Sequence, residues 1–371
     1  MGYSFIDAIC SEHVLIGEGQ NQQCCVIQSV WGDTNPEKDG HVCLYPKQQI
    51  LLTISTSFGV DLNRIKKGIL NPKKAVKYVT NRAGRQLLQN RFDNSGLHIL
   101  EQDWDTLVIF DCARYDLFSD TIDLSGELSA GQSLASVTGN FVERNFDGKQ
   151  AHDVVYLSAN PAVGSREECL DVFKFVGIWN ESSREKQGQE NTRGLTDPEP
   201  VIEKSQELHN QYPNKRHIVH LLPPHVPHIF KEGEQLNEDS PYRNYDAVRE
   251  GAVSTQEMRE VYAENLQYVI EQTTEFLQDI EGKVVLTGDH GELLGEKMPF
   301  WMKIAHSRWG NRWHKYDWGH YSDVDMTELR EIPWFEFPVE RRREIETENP
   351  IANEYDMQSI ENKLEALGYR T

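Results

Sequence analysis

The strongest chemical signal in this 371-residue sequence is a pair of adjacent donors late in the chain. The segment VVLTGDHGELLGE (284–296) runs apolar and then turns polar at Asp289 and His290. Oxygen and nitrogen donors side by side suit a divalent cation of the manganese or zinc type, with magnesium or calcium as further options. Gly291 comes next, where the missing Cβ lets the backbone turn close to a ligand. A second carboxylate ends an earlier apolar run, TLVIFD (106–111). Asp111 can therefore serve as a metal ligand or as the cap of a following helix.

The elements that position these residues are legible as short apolar runs that end in polar residues. TLVIFD, VVYLSAN (154–160), HIVHLLPPH (217–225) and KVVLTGDHG (283–291) have the length and the Val, Ile and Leu content of strands buried on both faces of a parallel sheet. Helical spacing falls between them. In 254–280, Ser254 and Glu257 form a capping box, and Val261, Tyr262, Leu266, Val269, Ile270, Phe276, Leu277 and Ile280 line up as one apolar stripe. Alternating strands and helices predict a doubly wound, mostly parallel α/β sheet flanked by helices. In such a sheet the ligand crevice lies beyond the carboxyl ends of the strands, and Asp111, Asn160, His225 and the Asp289–His290 pair all arrive there.

Charge narrows the partners. The chain carries 59 acidic and 38 basic residues, a formal charge of −21, which excludes general nucleic-acid binding because phosphate neutralisation needs clustered cations. One stretch departs from this balance: RIKKGILNPKKAVKYVTNRAGR (64–85) holds eight Lys or Arg and no acid. It reads either as a solvated helical face or as an arm that touches anionic lipid head groups or a polyanionic substrate. Six cysteines without CxxC spacing read as reduced thiols, although Cys10, His13, Cys24 and Cys25 could also be arranged around zinc. No apolar run reaches the roughly 20 residues of a membrane span, which together with the thiols predicts a cytoplasmic protein, with membrane contact at the inner face through 64–85. The expected organisation is an N-terminal extension (1–60), a basic helical arm or linker (61–100), a catalytic domain (101–345) and a C-terminal helical tail (346–371).

The order of FDCARYD (110–116), the hydroxyl-rich GELSAGQSLASVTGNF (126–141), PPHVPH (223–228) and TGDHGELLGE (287–296) resembles the sulfatase and phosphoglycerol-transferase branch of the alkaline phosphatase superfamily. The resemblance spans roughly 100–340, and it implies metal-binding roles for Asp111, Asp289 and His290. It also implies a hydroxyl nucleophile, itself a metal ligand, at a helix start between them. Thr138 is the first choice, ahead of Ser136 and Ser133, because Gly139 and Asn140 lead into the helix-like FVERNF. A helix N-terminus there adds partial positive charge against the transferred anion. Arg114 either pairs with an ester oxygen or forms an ion pair with Asp116. His225, His228 and His320 resemble the histidines on the family's substrate side. His225 and His320 can act as a leaving-group acid, second metal ligands or substrate contacts.

Two features qualify the resemblance. Formylglycine sulfatases carry consecutive aspartates and a Cys or Ser followed by Pro-x-Arg, whereas this chain has Asp111–Cys112 and no such signature. Trp301, Trp309, Trp313 and Trp318, with His306 and His314, crowd 297–320, either as a lid that stacks on a sugar or as ordinary packing. The implied activity is hydrolysis or transfer of phosphate or sulfate esters on small-molecule, glycan or lipid-linked substrates. The alternative is a degenerate member that binds glycan or lipid head groups without turnover.

Overall fold

The computed structural model describes residues 72–179, 197–237, 239–278, 280–306, 313–355, 360 and 364. Seven strands form the central sheet: β1 (Thr106–Phe110), β2 (Glu127–Gln132), β3 (Gln150–Ser158), β4 (Asp171–Gly177), β5 (Arg216–Leu221), β8 (Val284–Gly288) and β11 (Glu331–Glu336). Their order is β2-β11-β8-β1-β5-β3-β4. Two small ribbons complete the strands, β6 (Phe230–Lys231) with β7 (Glu234–Gln235), and β9 (Leu293–Leu294) with β10 (Trp318–Gly319). Pairings among β8, β1, β5, β3 and β4 are parallel, and β11 runs antiparallel to both β8 and β2.

The four apolar runs are the four innermost parallel strands, and their two-residue period explains why each is apolar throughout. In β1, Val108 and Phe110 enter one core layer while Leu107 and Ile109 enter the other. Likewise, Val284 and Leu286 of β8 face the first layer and Val285 the second. The first layer is covered by helix Thr255–Leu277, which buries Met258, Tyr262, Leu266 and Val269. Its predicted capping box forms: the Glu257 amide donates to Ser254 Oγ at 3.2 Å and the Ser254 amide to Glu257 Oε2 at 2.9 Å. The second layer receives Phe141, Val142 and Phe146 from helix Thr138–Phe146.

Beyond β11 the chain runs as an irregular strap. Arg342 grips the buried Asp105 carboxylate with Nε at 2.7 Å and Nη2 at 2.9 Å, while the Lys283 amide donates to the same carboxylate at 2.7 Å. Burial raises the Asp105 carboxyl, but Arg342 and the Lys283 amide outweigh it and hold the group below its ordinary value. Farther on, the strap follows the free edge of β4: the Ile351 and Glu354 amides donate to the Phe173 and Phe175 carbonyls, and the Gly177 amide donates to the Glu354 carbonyl. The expected helical tail begins later than predicted, since 346–353 is irregular and helix is found at residues 360 and 364.

The chain divides into two compact units, Met1–Arg82 and Ala83–Thr371. A helix, Pro72–Arg91, takes up the end of the basic run. The sequence readings for 1–60, including the Cys10, His13, Cys24 and Cys25 arrangement, lie outside the described residues, as does 64–71.

Candidate metal centre and active site

The carboxyl ends of β1, β3, β5 and β8 deliver a cluster with no solvent exposure at all: Asp111, Asn160, His220, Asp289 and His290 are each 0% exposed, as is Thr138 at the start of its helix. Tautomer logic organises the cluster. His290 Nδ1–H donates to the Gly291 carbonyl at 2.8 Å, so Nε2 carries the lone pair. That nitrogen faces Asp289 Oδ2 at 3.4 Å, Asp111 Oδ1 at 3.6 Å and Thr138 Oγ1 at 3.2 Å. Three lone-pair atoms thus converge with the Thr138 hydroxyl, which can donate to one of them.

The remaining contacts hold this arrangement without neutralising it. Asp289 Oδ1 accepts from the Cys112 amide at 3.0 Å and the His290 amide at 2.8 Å. Asn160 Nδ2 donates to Asp111 Oδ2 and lies 3.3 Å from Thr138 Oγ1. Asp289 Oδ2 and His220 Nε2, 3.8 Å apart, have no hydrogen-bond partner among the described residues. A buried carboxylate oxygen without a donor is costly, and two carboxylates beside neutral imidazoles leave negative charge uncompensated. Burial, and then the charge of Asp289, raise the Asp111 carboxyl well above its ordinary value. Burial also raises Asp289, but His290 and His220 beside it bring that carboxyl below its ordinary value. Burial lowers His290, and it lowers His220 to about 4. Oxygen donors from Asp111 and Asp289 with imidazole nitrogen from His290 or His220 are a donor set that fits a divalent cation.

The hydroxyl-rich run is sorted by its hydrogen bonds. Ser133 Oγ donates to the Asp289 carbonyl at 2.5 Å, and Ser136 Oγ donates to the Tyr321 carbonyl at 2.9 Å. Both serines are tied to backbone, and Thr138 alone among the three has its hydroxyl against Asn160 and His290. Arg114 turns away from the cluster: its guanidinium holds Asp116 at 2.6 Å and Glu296 at 2.8 Å, the ion-pair alternative.

A second group of donors adjoins the first. Cys112 has φ 67°, a left-handed conformation that costs a non-glycine residue energy and concentrates at functional sites. Its Sγ lies 3.1 Å from Asp111 Oδ1 and 3.5 Å from His320 Nδ1. His320 Nδ1 is also 3.2 Å from Glu292 Oε1, and the rings of His225 and His320 are centred 5.2 Å apart. Burial raises Glu292, but His320 and its neighbours reverse this and hold it at about 2. Burial, then His320, push His225 down to about 3. His228 stands apart, with Nδ1–H donating to the Tyr242 carbonyl at 2.9 Å.

Gly291 makes a close approach to the chain itself: a Cβ there would lie 2.1 Å from the Glu328 carbonyl oxygen. Trp318 is buried with its ring on Tyr245, 5.4 Å between centroids, and Trp301 packs at the edge of a third apolar cluster. Trp309 and the side chains of Trp313 and His314 lie outside the described residues. His220, Glu292 and Cys112 carry no predicted role, and Asn160 was placed at the crevice without one. Their shared signal is a polar side chain at or just beyond the end of an apolar strand.

Neither the family models nor the curated proteins contain a match to this sequence. Solved structures do match. The C-terminal periplasmic domain of a phosphoethanolamine transferase from Campylobacter jejuni aligns with a TM-score of 0.39 at 14% identity, over 62% of this chain and 78% of that one. The corresponding domain from Escherichia coli, in complex with zinc, gives 0.38 at 15% identity over 67% and 76%. A protein of the alkaline phosphatase superfamily from Vibrio parahaemolyticus gives 0.35 at 12% over 71% and 65%. With identities and scores this low, what the site does has to be read from its side chains. The cytoplasmic, inner-face location is overturned, because two of these structures are periplasmic domains and a further match is an integral membrane protein. The physical basis of that expectation was weak: a domain without an apolar span looks the same on either side of a membrane. Among the described residues no helix is long and apolar enough to cross one.

Proposed function

We propose that this chain is a metal-dependent enzyme that hydrolyses or transfers the phosphoryl-type group of an ester, with Thr138 as nucleophile. One observation carries the reading. The Thr138 hydroxyl sits at a helix start, 3.2 Å from a lone-pair nitrogen that also faces two buried carboxylates. Asp111, Asp289, His290 and the Thr138 oxygen would hold the cation, and when bound it supplies Lewis acidity that makes a hydroxyl of high pKa nucleophilic at neutral pH.

The chain's own residues supply the rest. Asn160 Nδ2 bridges Asp111 and Thr138, fixing the hydroxyl's direction. The first amides of helix Thr138–Phe146 place partial positive charge where the transferred anion would lie. His320 lies 4.6 Å from His290, ring centre to ring centre, and His225 lies 5.2 Å from His320, so both histidines adjoin the cluster and are the candidates to serve a leaving group. A covalent threonyl ester then passes its group to water or to another acceptor. Small-molecule, glycan and lipid-linked esters are all candidate substrates. The formylglycine route is not the reading, since neither Cys112 nor Thr138 stands in the required signature.

The test is turnover of chromogenic phosphomonoesters, phosphodiesters and sulfate esters by purified protein with added Mn²⁺ or Zn²⁺. Thr138→Ala should lose on the order of 10³-fold or more in kcat while keeping metal, with Ser133→Ala and Ser136→Ala far milder. Full activity in all three variants would remove the covalent mechanism. No turnover of any ester by the metal-loaded wild type would favour the binding-only alternative.

A further inference from the structure

We infer that Tyr262 is a positioning residue for the candidate metal centre: its phenol clamps the turn after β1 from two sides and so sets where the Asp111 carboxylate points. The inference rests on the proposed cation-binding role of Asp111, Asp289, His290 and Thr138, and adds a residue from outside that set.

The turn is short and strained. The Asp111 amide still donates to the Leu221 carbonyl of β5 at 3.1 Å, and the Ala113 amide already returns to the Phe110 carbonyl at 3.2 Å. The chain therefore reverses between Phe110 and Ala113, and Cys112, at φ 67°, holds the position where such a turn usually takes glycine. A side chain in that conformation needs surrounding structure to keep it there. Asp111 immediately precedes it, so a relaxation at Cys112 would swing the carboxylate.

Tyr262 supplies the hold. Its hydroxyl donates to the Cys112 carbonyl at 2.6 Å and accepts from the Arg114 amide at 3.2 Å. One oxygen thus ties the backbone on both sides of Ala113. The ring is wholly buried in the first core layer, in the same apolar stripe of helix Thr255–Leu277 as Met258, Leu266 and Val269, and this packing fixes where the hydroxyl sits. Phenylalanine would fill the same space, so packing accounts for the ring and the turn accounts for the oxygen. Cys112 is also wholly buried, and without the phenol its carbonyl loses this partner where water does not reach. The amide of Cys112 donates to Asp289 Oδ1 at 3.0 Å, so the turn passes its position to both carboxylates.

Tyr262→Phe keeps the ring and removes one oxygen. Competition between the purified protein and a calibrated chelator for Mn²⁺ or Zn²⁺ should show Kd raised about tenfold or more, the loss typical when the contacts that orient metal ligands are removed. Thr273→Val removes another buried hydroxyl of the same helix, one that donates to the Val269 carbonyl at 2.6 Å, and should lower Tm without moving Kd. An unchanged Kd in Tyr262→Phe, or an equal rise in both variants, overturns the inference. A wild type that binds no cation overturns the metal-centre reading and the inference with it. Linkage adds a test in the wild type alone: if the clamp favours the cation, the cation favours the clamp. Zn²⁺ should then slow hydrogen exchange at the Arg114 amide by more than it slows the amides of β4. Equal slowing overturns the inference even if Tyr262→Phe does not fold.

Discussion

Replacing Asp289 with Asn should make the metal-free protein more stable and the metal-loaded protein less so. In the metal-free state the Asp289 carboxylate is wholly buried, and its Oδ2 has no hydrogen-bond partner among the described residues. A buried unsatisfied polar atom costs about 1–3 kcal/mol, more if charged. Asn keeps Oδ1 as acceptor for the Cys112 and His290 amides and removes the charge from the position 3.8 Å from His220 Nε2. The isosteric change therefore removes a buried charge without opening a cavity. In chelator, the gain should be about 2 kcal/mol, which is about 3 °C in Tm for a unit the size of Ala83–Thr371. Metal reverses the order, because a cation that binds only the folded state adds RT ln(1 + [M]/Kd). A 2 kcal/mol gap closes at a free metal concentration about thirty times Kd. Thermal melts of both proteins, first in chelator and then across a Mn²⁺ or Zn²⁺ series, measure both effects. The reasoning fails if Asp289→Asn melts below the wild type in chelator, or if metal raises the variant's Tm as steeply as the wild type's.

Three further outcomes test other features. Asp105→Ala should cost about 2–3 kcal/mol at pH 7, since it strips a fully buried carboxylate from Arg342 and leaves the Lys283 amide unpaired, with Arg342 itself partly solvated. Because the folded-state pKa of Asp105 is lowered, that contribution is complete above its unfolded value of about 4 and disappears as pH falls through the folded one. Urea titrations should show the wild-type advantage at pH 7 closing in acid; an equal gap at both would place the effect elsewhere. Gly291→Ala should cost at least about 3 kcal/mol, because the 2.1 Å approach is to rigid backbone at Glu328, and a variant of wild-type Tm would refute the close contact. Vesicle sedimentation should show binding to anionic liposomes that weakens with salt through the basic run 64–85; equal binding to neutral liposomes would count against it.

What the sequence revealed depended on how much of each element's environment was written into its own residues. Strands β1, β3, β5 and β8 are buried on both faces, so their runs are apolar throughout and could be read directly. The β2 strand, ELSAGQ, is an edge strand with mostly exposed side chains and no apolar run to mark it. In β4, Lys174 interrupts an otherwise apolar run, and its ammonium reaches the Ala352 carbonyl of the strap at 3.2 Å, a partner 178 residues away that no local pattern predicts. The site divides in the same way. Asp111, Asp289 and His290 follow strands at turns and were found as motifs. His220 lies inside an apolar strand and Asn160 just beyond one, and their importance comes only from register, which sets His220 opposite Ile109 and Ser158. Thr138 is preferred over Ser133 and Ser136 from the helix start, while the backbone carbonyls that the two serine hydroxyls meet, on Asp289 and Tyr321, are too distant in sequence to be read locally.

The strap along β4 has a bearing on how this protein behaves in solution. Its amides and carbonyls occupy the outer row of β4, the side from which another strand could add. Beneath that row lie Val172, Phe173, Phe175 and Val176, a β-prone apolar patch. The protecting segment from 338 to 353 contains neither helix nor strand, which makes it the kind of chain a protease cuts. A single nick before Ile351 would leave the residues of the candidate site in place while exposing an adhesive sheet margin. Turbidity and loss of soluble material would then precede loss of metal binding, and a preparation that looks sound when fresh would clot on storage.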